Sequence, residues 1–240
     1  MTVYQLKYSI TGLARYISHL DLAKVFERGM RRAEIPLAFS AGFNPHPKLS
    51  FGSALAVGVS SGGEYLEVQL KEFIPPELFM EKLNNNLPHG ITVEKVMEVK
   101  EKGKALMAVI NRAAYQAVYP LQGKEVAAEE LAQAISDVLA KNELIVQRQT
   151  KKGLREVNIR PGIFTLTGKV EQGKITLYLL AATGSEMNVR PEEVIKSVLS
   201  QLNLSGEIKY AVIHREGLYA AKSNGQIIAP LEGYSQKTVE

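Results

Sequence analysis

The sequence predicts an α+β protein built from two tandem ferredoxin-like units, each with the element order βαββαβ. Three observations carry that expectation. At 240 residues the chain is long enough for two cores of roughly 100 residues each. Strand-like alternation and helical periodicity follow one another in the same order in both halves. Apolar residues make up 45% and charged residues 22%, an ordinary globular balance with enough apolar side chains for a packed interior.

The first unit is expected over residues 1–100. Val3, Gln5 and Lys7 alternate with Tyr4, Leu6 and Tyr8, which predicts a strand ending near Thr11-Gly12. Ser18 and Asp21 have capping-box spacing, in which the serine oxygen accepts a backbone N–H and the carboxylate reaches back. A helix therefore starts there. Leu22, Phe26, Met30 and Ala33 recur on one face of it, while Lys24, Arg28, Arg31 and Arg32 lie roughly opposite. Pro36 stops it. Strands are expected over 49–57 and 64–70, a helix from Pro75-Pro76 to about Asn85, and a strand over 92–99.

The second unit, 105–220, repeats the order more loosely. Strands are expected over 114–119, 144–149, 155–167, 175–181 and 208–214, with helices over 127–140 and from Pro191. The lysine-rich stretch 100–104 reads as the linker, and 221–240 as a C-terminal extension that is partly flexible, polar from Ser235 onward.

Composition also excludes chemistry. With no cysteine the chain has no disulfide, thiol nucleophile, zinc–thiolate site or cysteine-held iron–sulfur cluster. Four scattered histidines, with no HExxH, Walker loop or dinucleotide fingerprint, give no expectation of a metal or cofactor. The N-terminus lacks the apolar run of a signal peptide, and no stretch of about 18 apolar residues occurs, so the expected address is the cytoplasm, without membrane contact.

Charge is unevenly placed. Residues 1–60 hold seven basic side chains (Lys7, Arg15, Lys24, Arg28, Arg31, Arg32, Lys48) against three acidic ones (Asp21, Glu27, Glu34). The other 180 residues hold 22 of each sign, from totals of 29 and 25, so the whole net charge of +4 lies in the first quarter. A polyanionic partner is the natural reading, and a solvated helix face the plain one.

The same quarter contains Gly42-Phe43-Asn44-Pro45-His46-Pro47-Lys48. Each proline sets its own φ and biases the preceding residue toward extended backbone, so His46 is expected in a rigid loop. Asn44, His46, Lys48 and Ser50 can offer polar groups to an anion or nucleotide, and Lys24, Arg28, Arg31 and Arg32 can reach phosphate from the helix. The alternative is a structural turn and a helix face engaged within the fold. Tyr16, Phe39, Phe43 and Phe51 interleave with the cations and could stack on bases, although aromatics in strands are usually core.

Several of these stretches resemble a known family. Arg15-Tyr16-Ile17-Ser18-His19-Leu20-Asp21-Leu22, Glu27-Arg28, Arg31-Arg32-Ala33, and the loop through Lys48 and Ser50-Phe51 are similar to the radical-SAM-linked domain of unknown function. Arg155-Glu156-Val157-Asn158-Ile159-Arg160-Pro161, Arg190-Pro191-Glu192-Glu193 and Ile213-His214-Arg215-Glu216-Gly217 look like its downstream landmarks. Asn158 stands where the family pattern favours aspartate. The resemblance implies a radical S-adenosylmethionine protein as partner, in work on RNA or the ribosome. Without cysteine the present chain is not itself the radical enzyme.

Three functions follow as expectations. The first is an RNA-binding or substrate-presenting accessory protein whose partners are a radical-SAM protein and RNA or a ribosomal particle. The second is an RNA-modifying or RNA-cleaving enzyme, with His19 and His46 as acid and base and Lys48 or an arginine stabilising charge; tandem ferredoxin-like units also occur in RNA-processing enzymes. The third is a protein-facing adaptor. Arg160, Arg190 and Arg215 are candidates to line a cleft. The enzyme reading requires His19, His46 and Lys48 to converge, whereas binding requires only a continuous basic surface.

Overall fold

A computed structural model describes residues 1–99, 104–151, 153–222 and 225–231. The expected linker, apart from Lys104, lies outside them, as do 223–224 and 232–240 of the expected extension. The elements run β1 (Thr2–Ile10), a 3-10 turn (Gly12–Tyr16), α1 (His19–Arg32), β2 (Leu49–Phe51), β3 (Ser60–Leu70), α2 (Pro76–Asn84), β4 (Ile91–Val99) and α3 (Leu106–Val109). They continue through β5 (Arg112–Pro120), α4 (Ala128–Ala140), β6 (Ile145–Thr150), β7 (Gly153–Asn158), a 3-10 turn (Arg160–Gly162), β8 (Ile163–Glu171), β9 (Lys174–Ala182) and α5 (Pro191–Gln201). A 3-10 stretch (Ser205–Tyr210), β10 (Val212–Ala221) and β11 (Ile227–Ile228) complete them. The class is mixed α and β on antiparallel sheet. Two compact units result: Met1–Asn111 together with the chain from Arg215 onward, and Arg112–His214.

In the first unit β1 pairs antiparallel with β3 on one side and β4 on the other. The outer edge of β3 is shared: β2 pairs with Leu66–Val68, and β10 lies alongside as well. Gly63 makes that second approach feasible, because a Cβ there would sit 3.0 Å from the Gly217 Cα and 3.1 Å from the Glu216 carbonyl oxygen. Alternation along β1 turns Tyr4, Leu6, Tyr8 and Ile10 into one core. Helix α1 covers it by setting Phe26 edge-on to Tyr8 at 4.8 Å, and α2 sets Phe79 edge-on to Tyr4 at 5.3 Å. Burying a Phe or Leu of this kind contributes roughly 1.5–3 kcal/mol, so these two helices are held mainly by their apolar faces.

The second unit carries β9 between β5 and β8, all antiparallel. Leu131, Ala134, Ile135 and Val138 of α4, and Pro191, Val194, Ile195, Val198 and Leu199 of α5, are the buried positions of these two helices. Strands β6 and β7 form a separate two-stranded sheet. It is tied down by Arg148, which donates to both carboxylate oxygens of Glu193 at 2.7 and 2.6 Å and to the Asn188 carbonyl at 2.8 Å.

Besides β3, which starts at Ser60 and not at Glu64, three expected strands differ from those observed. The one over 49–57 stops at Phe51: the Gly52 N–H makes a last bond to the Tyr65 carbonyl of β3, and beyond it the Ala54 carbonyl accepts from the Arg215 guanidinium and the Gly58 N–H bonds the Arg15 carbonyl, which takes the chain off the sheet. The one over 155–167 is two strands. Asn158 Oδ1 accepts from the Leu144 and Arg160 N–H groups at 3.0 and 3.1 Å, and Pro161, lacking a donor, sits in the 3-10 turn between them. The last strand begins at Val212 and runs to Ala221, not over 208–214, since 3-10 geometry occupies Ser205–Tyr210 and the charge of Arg215 is accommodated inside the fold.

Candidate functional site

Helix α1 starts where Ser18 and Asp21 predict. Ser18 Oγ accepts from the Asp21 N–H at 3.2 Å and donates to Asp21 Oδ2 at 2.8 Å, so the carboxylate returns to the serine hydroxyl and not to its backbone N–H. That hydroxyl first, then the Lys24 ammonium at 3.2 Å and the Arg28 charge, hold the Asp21 carboxyl below the usual carboxylate range. Along the exposed face, Arg31 donates to Glu27 and lies over the Phe39 ring at 5.3 Å. Arg32 donates to the Asn86 carbonyl at 2.5 Å. Arg28 is exposed and makes no side-chain hydrogen bond among the described residues. Of the four cations expected on this face, one is therefore unengaged and three are partly engaged.

The loop after the helix is a closed tongue. Phe39 and Pro47 bridge its arms, the Ser40 N–H donates to the His46 carbonyl at 2.8 Å, and the His46 N–H donates to Ser40 Oγ at 3.0 Å. Below the bridge the Lys48 N–H bonds the Ala38 carbonyl at 2.9 Å, and the Gln69 N–H bonds the Lys48 carbonyl at 3.1 Å, fixing the arms to the end of β3. Gly42 has φ +121, which L side chains rarely adopt. The whole tip, 41–46, is exposed. Asn44, His46 and Lys48 therefore present their side chains to solvent, and none is hydrogen-bonded through its side chain among the described residues; Ser50 is half-buried in β2.

His19 is half-buried at the first position of α1, its ring edge-on to Phe51 at 5.2 Å. No hydrogen bond links it to His46 or Lys48. Of the four aromatics of the segment, Phe51 belongs to the core, Phe39 lies under Arg31, and Tyr16 is met by the Arg15 guanidinium. Phe43 is fully exposed.

The arginines expected to line a cleft serve different places. Arg160 donates Nε and Nη2 to the Leu139 carbonyl at 3.0 and 2.7 Å and Nη1 to the Ile163 carbonyl at 3.2 Å, which ties the end of α4 to β8. Arg190 is exposed and its backbone precedes Pro191 at the start of α5. Arg215 is 2% exposed and lies in the first unit. Its guanidinium grips both oxygens of Glu64, itself 1% exposed, and donates to the Ala54 carbonyl at 3.2 Å. Ser61 Oγ lies 2.6 Å from Glu64 Oε1 and 3.0 Å from the Arg215 carbonyl oxygen, so its single proton serves one or the other, with the carboxylate the nearer acceptor. Beside this pair Tyr8 is buried, which pushes its phenol well up; the Glu64 charge adds to the rise and Arg215 opposes it.

Sequence reasoning missed Glu64 and Ser61 as partners of Arg215, and Arg148 with Glu193. A glutamate set among small residues, Ser60-Ser61-Gly62-Gly63-Glu64, was the only local signal for the first pair. Among the described residues no cluster of three or more His, Asp or Glu could hold a metal ion, and no helix is long and apolar enough to cross a membrane.

The sequence that builds this fold matches a family model over most of its length. Residues 4–191 match the family described as uncharacterized protein conserved in bacteria (DUF2344), and the chain belongs to it. Among solved structures it is similar to a chain of the Cbf5-Nop10-Gar1 complex, at 10% identity and a TM-score of 0.46 over 90% of the present chain, spanning 47% of that one. An unknown protein from Galdieria sulphuraria is similar at 12% identity and a TM-score of 0.26, over 90% of this chain and 97% of that one. No curated protein matches the chain.

Proposed function

We propose that this protein is an RNA-binding or substrate-presenting accessory protein, and that it serves a radical-SAM partner. The observation that carries the RNA reading is the surface formed by α1 and the tongue, where Arg28, His46 and Lys48 stand exposed without side-chain hydrogen-bond partners among the described residues, in the quarter of the chain whose net charge equals the +4 of the whole. Cations that a fold does not use are available to phosphate, and Arg and Lys there release counterions on binding. The radical-SAM partner rests on the resemblance of the stretches around Ser18–Asp21 and Asn44–Lys48, with cluster chemistry assigned to a second protein because this one has no cysteine.

We also read both units as ferredoxin-like. In the first, β1, β2, β3 and β4 follow βαββαβ order and stand in the antiparallel sequence β4-β1-β3-β2. In the second, β5, β8 and β9 stand as β5-β9-β8, with the β6–β7 hairpin inserted after α4.

The test is binding of the full chain to structured RNA and to ribosomal particles across a salt series. Affinity that falls steeply with salt is expected. No affinity at low salt would end the reading, and recovery of a protein bound through the exposed apolar side chains Leu13, Leu20 and Val57 in place of RNA would favour an adaptor. Co-purification with a radical-SAM protein tests the partner separately.

A further inference from the structure

We propose that Phe43 is a stacking residue for an unpaired nucleobase, so that the ligand of the tongue is single-stranded or looped-out RNA and not a regular duplex. This rests on the RNA reading above and goes further by assigning the ligand's conformation and the residue that selects it.

Phe43 differs from every other aromatic in its segment. Phe51 is core, Phe39 is met by Arg31, and Tyr16, though 54% exposed, is met by Arg15, whereas Phe43 is fully exposed and makes no ring or cation contact among the described residues. It is also held out. The Phe39/Pro47 bridge and the two bonds between Ser40 and His46 close the tongue beneath it, Pro45 and Pro47 restrict the returning arm, and Gly42 supplies the positive φ that turns the tip. With the backbone of the tongue already tied, contact costs only the rotamer freedom of the ring itself.

The neighbours identify what the ring meets. Asn44, His46 and Lys48 are polar or cationic, and the arm below carries Phe39 with Arg31 above it. An anchor for a protein partner would be ringed by apolar surface, and the tip offers only Ala41 and Pro45 around Phe43. A base with its phosphate fits both halves: a face for the ring and a charge for Lys48. In a duplex the base faces are already stacked on one another, so a protruding ring reaches them only in a single strand, a bulge or a loop.

The chain has no tryptophan, so Phe43→Trp introduces a sole indole reporter. The probes are a uridine 12-mer and a blunt RNA duplex of equal length. Indole fluorescence should be quenched by the single strand and unaffected by the duplex. Phe43→Ala should weaken single-strand binding roughly ten- to hundredfold with an unchanged salt slope, and Phe43→Leu should not restore it, because stacking needs a π-face. Equal affinity of Phe43→Ala and native protein, full affinity of Phe43→Leu, or equal quenching by the duplex would overturn the assignment. If native protein binds neither probe at low salt nor any structured RNA, the RNA reading falls with it; if it binds RNA but ignores position 43, only the stacking role falls.

Discussion

Arg215 and Arg28 belong to the same compact unit and differ in everything around them. Arg215 is enclosed, with Glu64 taking two of its donors and the Ala54 carbonyl a third, and the Ser61 hydroxyl lies within hydrogen-bond distance of both the Glu64 carboxylate and the Arg215 carbonyl. Arg28 stands on the exposed face of α1, and Lys48 below the tongue is in the same condition. The buried arrangement is costly to desolvate and survives because the two charges match and every guanidinium nitrogen is hydrogen-bonded. The exposed one contributes little to stability and leaves charge free for a ligand. Positive side chains thus divide into those that assemble the unit and those it displays.

The comparison can be broken most forcefully at the buried pair. Removing one member, by Arg215→Ala or Glu64→Ala, should cost about 3–5 kcal/mol in urea denaturation, because an unmatched charge is left in the core. The double variant Arg215→Met/Glu64→Leu should cost less than either single one. A single-variant cost near zero would mean that the pair is hydrated and not structural.

On the display side, reversing Arg28 and Lys48 together to Glu should weaken RNA binding on the order of tenfold or more while leaving the urea midpoint where it was. A shifted midpoint with unaltered binding would exchange the two regions' roles.

The smallest effect is at the helix start. Ser18→Ala should cost about 1 kcal/mol of stability through the lost cap. It should also move the Asp21 titration upward, followed by carboxyl NMR, since the Ser18 hydroxyl is the main cause of its lowered pKa. Because that pKa is depressed in the folded state, the stabilisation it brings is present above the unfolded carboxylate pKa and fades as pH falls through the folded one. In the Ser18→Ala variant this acid-side fading should be weaker.

Much of the first unit was legible in the sequence because its signals are local. Alternation marked β1, and the Ser18 cap and the spacing of Leu22, Phe26 and Met30 marked α1. What could not be read depends on distant partners. Residues 53–57 look like a continuing strand until Arg215, far along the chain, takes the Ala54 carbonyl. His214-Arg215-Glu216 looks like a strand end until Glu64 neutralises the arginine inside the fold. Arg28, Arg31 and Arg32 are equivalent by periodicity, and only the fold reveals that Asn86 occupies Arg32 and that Phe39 lies under Arg31. The rigidity of the tongue was foreseeable from Pro45 and Pro47; the outward position of Phe43 was not, since sequence does not rank exposure.

The division between assembled and displayed cations is tested most directly by the salt dependence of binding to a single-stranded RNA probe, compared among native protein, Arg28→Ala/Lys48→Ala and Arg190→Ala. The double variant should lose about 0.7 of log–log slope for each phosphate contact removed, while Arg190→Ala, at an exposed arginine of the other unit, should keep the native slope. An unchanged slope in the double variant would contradict it.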